Sequence, residues 1–212
     1  MLHSIKRIKA CGLLLALAAL LGGVAGARAA VLICVDLDTA TPGIQAVRNV
    51  VAGELFTAAL VMDVDAGGVS SYSVSVNFDT SELTLDGVPA ASYPALPGGL
   101  SAGTAPAESS ALGQAWSFQA FTIGPGPVST SFVFGLIKFK VVIPVSNGLS
   151  DVDTGFFFLP GLADSMFDNV GAPVAPVFKT AQVNAVPEPG SAALLLAGLG
   201  ALSLVRRNRA GS

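Results

Sequence analysis

The chain lacks most of the side chains on which enzymes rely for nucleophilic or imidazole chemistry. Its single histidine is His3, and its two cysteines are Cys11 and Cys34. His3 and Cys11 both precede residue 30, in a segment that reads as a cleaved leader. The remaining chain therefore excludes a Ser-His-Asp site, a Cys-His site and an imidazole metal centre. With one thiol left, Cys34 is expected to be a buried small side chain or one half of an intermolecular disulfide.

Basic residues are also scarce between the two ends of the chain. Residues 31–186 contain four basic and 13 acidic side chains, which leaves a formal charge of −9. A nucleic-acid-binding domain needs a basic face, so this balance excludes such a partner. No Walker loop occurs, and no GxGxxG follows a predicted strand, so nucleotide-binding motifs are missing as well.

The N-terminus has the three parts of a secretory signal peptide. An apolar run at 12–24 follows a short basic region, and an A-x-A sequence follows the run. This order predicts a signal peptide over residues 1–29, removed by signal peptidase. The basic residues are Lys6, Arg7 and Lys9, and the cleavage signal is formed by Ala27, Ala29 and Ala30, with cleavage after Ala29 or Ala30.

A second apolar segment lies near the other end of the chain. Residues 190–205 carry no charge and reach the lower length limit for a transmembrane helix at about 1.5 Å per residue. The basic tail 206–212 follows, and by the positive-inside rule it predicts a cytoplasmic stop. Both cationic ends then lie on the cytoplasmic side of the inner membrane, so the body between them is expected in the periplasm. The stop residues are Arg206, Arg207 and Arg209.

The segment before this span carries a short proline motif. Its five residues are Val186, Pro187, Glu188, Pro189 and Gly190. The two prolines lack backbone donors and hold the chain extended, which presents its peptide bonds to a protease. Together with the span and the arginines, the segment resembles the PEP-CTERM sorting signal of Gram-negative bacteria that make exopolysaccharide. The resemblance implies recognition and cleavage by an exosortase, with later delivery to the cell surface or extracellular matrix.

The region between the two ends has the pattern of a β-protein. In "SYSVSVNF", from Ser71, polar and apolar residues alternate, which is typical of a strand with one buried and one solvent-exposed face. Similar short runs recur between Gly- and Pro-containing turns, without a clear helical period. We therefore predict an all-β antiparallel two-sheet sandwich over 30–172, with a last strand or linker at 173–185. The signal helix and the transmembrane helix would flank it, and the sorting signal would occupy 186–212.

The order of the strands within 50–143 carries a second, looser resemblance. "VVAGELFTAALVMDVDAGGVSSYSVSVNFDTSELTL" and the later "GLIKFKVVI" resemble the strand sequence of cohesin-like domains. That resemblance implies a jelly-roll-like β-sandwich that works by adhesion. It does not imply dockerin binding, because the recognition surface cannot be matched residue by residue.

Carboxylates are the only candidates for a metal site. Three Asp-x-Asp pairs occur, and on a strand each pair points to one side. Hard oxygen ligands of this kind suit Ca²⁺, although no EF-hand spacing is present. The alternative is a set of solvated turn residues. The candidate ligands are Asp36, Asp38, Asp63, Asp65, Asp151 and Asp153.

These patterns together favour an exported structural or adhesive protein without catalytic activity and with no cofactor beyond Ca²⁺. Signal peptidase and exosortase are its expected processing enzymes, and exopolysaccharide or envelope components are its expected partners. One alternative is a Ca²⁺-dependent or carbohydrate-binding module. Another is a glycoside hydrolase of the carboxylate type, although nothing in the sequence singles out a catalytic pair.

Overall fold

The computed structural model describes residues 30–143, 149–156, 158–159 and 162–186. Within these ranges the secondary structure consists of short and medium strands joined by turns. In chain order they are β1 (Val31–Asp36), β2 (Val47–Val50), β3 (Leu55–Val64), β4 (Ser71–Phe78), β5 (Leu83–Leu85), β6 (Ala91–Ser92), β7 (Ser101–Ala102), β8 (Ala107–Ser109), β9 (Gln114–Phe121), β10 (Thr130–Val141), β11 (Val152–Gly155), β12 (Phe158–Leu159), β13 (Leu162–Ala163), β14 (Ser165–Phe167), β15 (Val177–Phe178) and β16 (Gln182–Ala185).

Two six-stranded sheets form the body of the described chain. The first has the order β15-β1-β3-β10-β5, with β6 also paired to β10. The second has the order β11-β4-β9-β7, with β14 paired to β4 and β8 to β9. Pairing within both sheets is antiparallel except where β15 joins β1. The strands β12 and β13 form a separate hairpin, and β16 pairs with β2 in parallel.

The alternating sequence of the long strands explains which face each one buries. In β4, Tyr72, Val74, Val76 and Phe78 are buried, because every second side chain points to the same side of a strand. In β10, Ile137 and its alternating neighbours are buried, whereas the intervening lysines are exposed. The sequence pattern thus determines the direction of the side chains in both sheets.

Aromatic rings from the two sheets meet in the core. Phe134 of β10 packs edge-on against Tyr72 of β4, with the ring centroids 5.3 Å apart. Phe139 of β10 packs in the same way against Phe78, at 5.2 Å. Edge-to-face pairs of this kind add roughly 0.5–1.5 kcal/mol each to the stabilisation from burial. The contacts join the two layers as a sandwich.

A glycine allows the close approach of the sheets beside Phe134. The register of β10 with β3 shifts between Val133 and Gly135, which places a bulge at Phe134. A Cβ atom on Gly135 would lie 2.7 Å from the Phe118 ring and 2.9 Å from Leu60 Cδ1. The position therefore requires a residue without a side chain.

The last described strand is attached through both backbone and side-chain contacts. The N–H of Gln182 donates to the carbonyl of Ala46 at 2.8 Å, and that of Val186 donates to Val50 at 3.0 Å. Val183 of β16 is fully buried. Both β15 and β16 fall within 173–185, whereas the predicted domain boundary at 172 stays a prediction.

The prediction of an all-β sandwich is confirmed. The parallel pairings of β15 and β16 are a detail that the antiparallel prediction did not include; both strands reach their partners through loops rather than hairpins. The predicted signal helix and C-terminal helix lie outside the described residues. Among the residues that are described, none forms a helix long and apolar enough to cross a membrane.

Candidate functional site

Three carboxylates come together where β4 ends and β11 begins. Asp79 follows β4, Glu82 precedes β5, and Asp151 precedes β11. One oxygen from each carboxylate lies within 4.8 Å of the others. Glu82 and Asp151 are each only 1% exposed. We call these three residues the acidic cluster.

A tight turn brings Asp79 and Glu82 to the same place. Oδ1 of Asp79 accepts hydrogen bonds from the N–H of Ser81 at 2.8 Å and from its hydroxyl at 2.6 Å. The carbonyl of Asp79 accepts from the N–H groups of Glu82 and Leu83. An aspartate that binds the backbone two residues onward stabilises this type of turn. The chain thereby reverses at the end of the strand and returns Glu82 to the cluster.

Asp151 joins the cluster through the neighbouring strand. The N–H of Asp79 donates to the carbonyl of Asp151 at 2.9 Å, which extends the β4–β11 ladder by one residue. Oδ2 of Asp151 accepts a hydrogen bond of 2.5 Å from the N–H of Val183 in β16. Its other oxygen, Oδ1, is buried and has no hydrogen-bond partner among the described residues.

The surroundings make a negative charge on Asp151 unfavourable. Burial, together with the negative charges of its acidic neighbours, raises the pKa of Asp151 to about 6, against the opposing hydrogen bond from Val183; the neighbours are Glu82, Asp79 and Asp153. A carboxylate out of water loses hydration, and like charges nearby oppose ionisation. A proton or a cation at this place would relieve both effects.

Two more oxygen-bearing side chains lie beside the cluster on the same strand pair. Asp153 of β11 pairs directly with Asn77 of β4. The Oδ1 atoms of both residues are buried and have no hydrogen-bond partner among the described residues. Burial raises the pKa of Asp153, and a hydrogen bond with the Ser150 side chain lowers it in part. Acceptor oxygens without donors thus continue along this ladder.

The predicted pair Asp36 and Asp38 organises a loop after β1. Oδ1 of Asp36 accepts from the N–H groups of Asp38 and Gln45. Asp38 accepts from the hydroxyl of Thr41 at 2.7 Å and lies 3.5 Å from the Arg48 guanidinium. The Thr41 hydrogen bond lowers the pKa of Asp38, and Arg48 contributes to the same direction.

The predicted pair Asp63 and Asp65 lies at the opposite end of the β1–β3 ladder. Val31 pairs with Val64, whereas Asp36 pairs with Ala59, so the two Asp-x-Asp pairs are separated by the length of β1. Asp63 is exposed, and Asp65 accepts hydrogen bonds from Gly67 and from the N–H of Ala30. Both carboxylates line a surface cavity of about 530 Å³. The structure does not bring the three predicted pairs to one site.

Of the six predicted ligands, Asp151 alone belongs to the acidic cluster. Asp79 and Glu82 were not among the candidates, because neither belongs to an Asp-x-Asp pair. A signal for them exists in the sequence "FDTSEL", in which an aspartate directly after an alternating strand is followed three residues later by a glutamate. Aspartate at the first position of a turn is frequent, so this signal alone would not have identified a site.

The remaining predicted residues fall at the two ends. Val186 is described and continues from β16. The rest of the sorting motif (Pro187, Glu188, Pro189 and Gly190), the stop arginines and the cleavage residues Ala27 and Ala29 lie outside the described residues. Ala30 is described and is exposed.

Comparison with known proteins agrees with both resemblances drawn from the sequence. Residues 185–210 match the model of the PEP-CTERM protein-sorting motif. No curated protein sequence matches the chain.

Solved structures show the fold of the body. A type II cohesin, A11 from Bacteroides cellulosolvens, superposes with a TM-score of 0.51 and 12% identity over 74% of this chain and 99% of its own. A type II cohesin from the cellulosome of Acetivibrio cellulolyticus gives 0.49 and 14%, over 73% and 95%. A non-cellulosomal cohesin from the archaeon Archaeoglobus fulgidus gives 0.43 and 12%, over 76% and 94%. The chain thus carries a PEP-CTERM sorting motif after a body with a cohesin-like fold.

Proposed function

We propose that this protein is exported, processed by an exosortase at its sorting motif and delivered to the cell envelope or extracellular polysaccharide matrix. Its β-sandwich then has a structural or adhesive role and no catalytic activity. The observation that carries the proposal is the position of the motif: the matched segment begins at residue 185, where β16 ends. Body and sorting signal therefore follow each other without an intervening domain.

The spacing also supports processing close to the membrane surface. The predicted transmembrane segment begins at residue 190, and Val186 is still bonded to Val50. The three residues between them can span at most about 11 Å when fully extended. Before cleavage, the sandwich would rest against the periplasmic side of the inner membrane, with the prolines held between body and bilayer.

The burial of the acidic cluster supports a non-catalytic role. A glycoside hydrolase uses two carboxylates that flank the bond it cleaves. A glycosidase pair must contact the sugar on both faces. Glu82 and Asp151 are covered, and β16 lies against Asp151, so no sugar ring can reach both.

A calcium-dependent module is the second candidate function. It is favoured by the acidic cluster, which collects hard oxygen ligands without histidine or cysteine. This candidate is compatible with export and processing, and it concerns the body alone.

The sorting proposal can be tested by replacing Pro187, Glu188 and Pro189 with alanine in an exosortase-bearing host. We expect the variant to retain its tail and to remain in the membrane fraction. The control is Pro125→Ala, which changes an exposed loop proline of the body and should mature normally. Maturation of the triple variant at the normal size and place would refute the proposal.

A further inference from the structure

We propose that the acidic cluster of Asp79, Glu82 and Asp151 binds a calcium ion, and that the ion fastens the last strand, β16, to the sandwich. This inference deepens the second candidate function and is independent of the sorting proposal, because it concerns the body alone. It concerns what holds the final strand in place next to the sorting motif.

The spacing of the ligands fits calcium. Ca²⁺ binds oxygen ligands at about 2.3–2.6 Å, so two ligands on opposite sides of one ion are at most about 5 Å apart. The three carboxylate oxygens lie within 4.8 Å of one another, inside that limit. All three ligands are hard carboxylate oxygens, which disfavours softer metals such as zinc or copper.

A buried oxygen without a hydrogen-bond donor supports a cation at the cluster. Oδ1 of Asp151 has no hydrogen-bond partner among the described residues, and Asp151 is only 1% exposed. A buried acceptor without a partner is costly, and native structures usually satisfy it with water or an ion. The other oxygen of Asp151 is already occupied by Val183, so the carboxylate is held in place with Oδ1 left over.

The neighbouring oxygens give independent support. Asn77 and Asp153 face each other across the same two strands, and each also has a buried Oδ1 without a partner among the described residues. With one oxygen from each of the three carboxylates, an ion with six to eight ligands needs further oxygens. We assign these positions to bound water held by Asn77 and Asp153, because Asp153 does not belong to the group of carboxylates within 4.8 Å of one another.

The charges of Asp79 and Asp151 favour a cation. Within the described chain, the salt bridges of Arg48 go to Asp38 and Glu54, and no lysine or arginine forms one with Asp79 or Asp151. Carboxylates that are close together and buried are rarely stable without a compensating charge. A divalent ion supplies that charge.

Asp151 connects the ion to the last strand. Its Oδ2 accepts the hydrogen bond from Val183, and its N–H donates to the carbonyl of Ala181 at 3.0 Å. With an ion bound, Asp151 would be held by the ion on one side and would hold β16 on the other. Without the ion, repulsion from Asp79 and Glu82 would weaken the position of Asp151 and thus of β16.

The first experiment measures thermal unfolding of the full chain, purified in detergent, with a chelator or with about 10 mM CaCl₂. Extracellular calcium sites commonly have Kd values of about 10⁻⁴–10⁻³ M, so we expect Tm to rise by about 3–11 °C. Asp79→Asn keeps the shape of the turn residue and should abolish the rise. Glu82→Gln is a second variant, in case the first does not fold. The control is Asp63→Asn, an equal change of charge on an exposed strand residue, which should leave the rise intact.

The second experiment locates the effect by amide hydrogen exchange. We expect calcium to slow exchange at Val183 and its neighbours in β16 at least tenfold, and to leave the centre of β3 unchanged. Three results would overturn the proposal: no rise in Tm with calcium, an equal rise in Asp79→Asn and in the wild type, or a rise without added protection of β16.

Discussion

The backbone N–H of Val183 donates a 2.5 Å hydrogen bond to Oδ2 of Asp151, a buried carboxylate. Val183 belongs to the last strand, and the segment that matches the sorting motif begins two residues later. One bond therefore connects the acidic cluster to the strand that leads into the processing signal. We therefore expect the group that neutralises Asp151 to contribute to the attachment of that strand, in addition to its ladder with β2.

The substitution Asp151→Asn removes the charge of this side chain and keeps its hydrogen bond to β16, so it tests the two contributions separately. The amide keeps an oxygen that can accept from Val183, whereas it removes a charge that burial and its acidic neighbours oppose. We expect the variant to be at least as stable as the wild type in a chelator at pH 7.5 and to lose the calcium-dependent rise in Tm. A variant that is strongly destabilised in the chelator yet still responds to calcium would contradict this account. Calorimetry with and without calcium measures both quantities.

The stability of the calcium-free protein should depend on pH with a definite sign. The pKa of Asp151 is raised from 3.8 to about 6 in the folded state, so the folded protein binds the proton more tightly than the unfolded one. The free energy of unfolding should therefore fall as the pH rises from about 4 to about 6, and this contribution should then stay constant. Chemical denaturation of the wild type and of Asp151→Asn across this range isolates the effect as a difference. A difference that does not change with pH would refute it.

The mature N-terminus should form an ion pair with Asp65. The N–H of Ala30 lies 2.8 Å from Oδ2 of Asp65, so cleavage after Ala29 would place a new ammonium group on that carboxylate. Because the pair is exposed, we expect it to contribute only about 0.5–1 kcal/mol. Asp65→Asn should destabilise the processed protein more than the unprocessed precursor, and Asp63→Asn should not discriminate between them. Mass spectrometry of the secreted product checks the cleavage site, and a product that begins at any other residue would contradict the prediction.

Gly135→Ala should destabilise the sandwich. The new methyl group would meet the Phe118 ring at 2.7 Å and Leu60 at 2.9 Å, in a core that both sheets share. Overpacking of this kind costs about 1–3 kcal/mol. Gly87→Ala, at a loop glycine with open space, is the control for crowding. Alanine at Gly87 is strained by the positive φ of 87° but meets no neighbouring atom. If crowding is the larger effect, urea denaturation should show a greater loss in the free energy of unfolding for Gly135→Ala than for Gly87→Ala.

Cys34 should be unreactive in the folded protein. It is buried, and burial raises the pKa of its thiol, which Lys179 lowers only in part. The thiolate is the reactive form, so iodoacetamide should label the native protein slowly and the guanidinium-unfolded protein rapidly. Rapid labelling before unfolding, or a disulfide-linked dimer of the processed protein on a non-reducing gel, would favour the intermolecular bridge instead.

The sequence predicted the sandwich because β4 and β10 carry their pattern locally. Alternation in Ser71–Phe78 and the lysines of β10 determine which face is buried, without knowledge of the partners. The acidic cluster could not be predicted in this way. Asp79 and Asp151 come from distant parts of the chain, and only the pairing of β4 with β11 brings them together. The parallel pairing of β16 with β2 could not be predicted for the same reason, because the sequence of a four-residue strand does not indicate which strand it pairs with.

The most direct test of the proposed export and processing is the intact mass of the protein from hosts with and without an exosortase. In the exosortase-bearing host we expect a product that lacks residues 1–29 and the C-terminal tail beyond the Pro187–Pro189 motif. The other host should yield a membrane-bound form that lacks only the signal peptide. If the full 212-residue chain were recovered from the cytosol of both hosts, the account would be wrong.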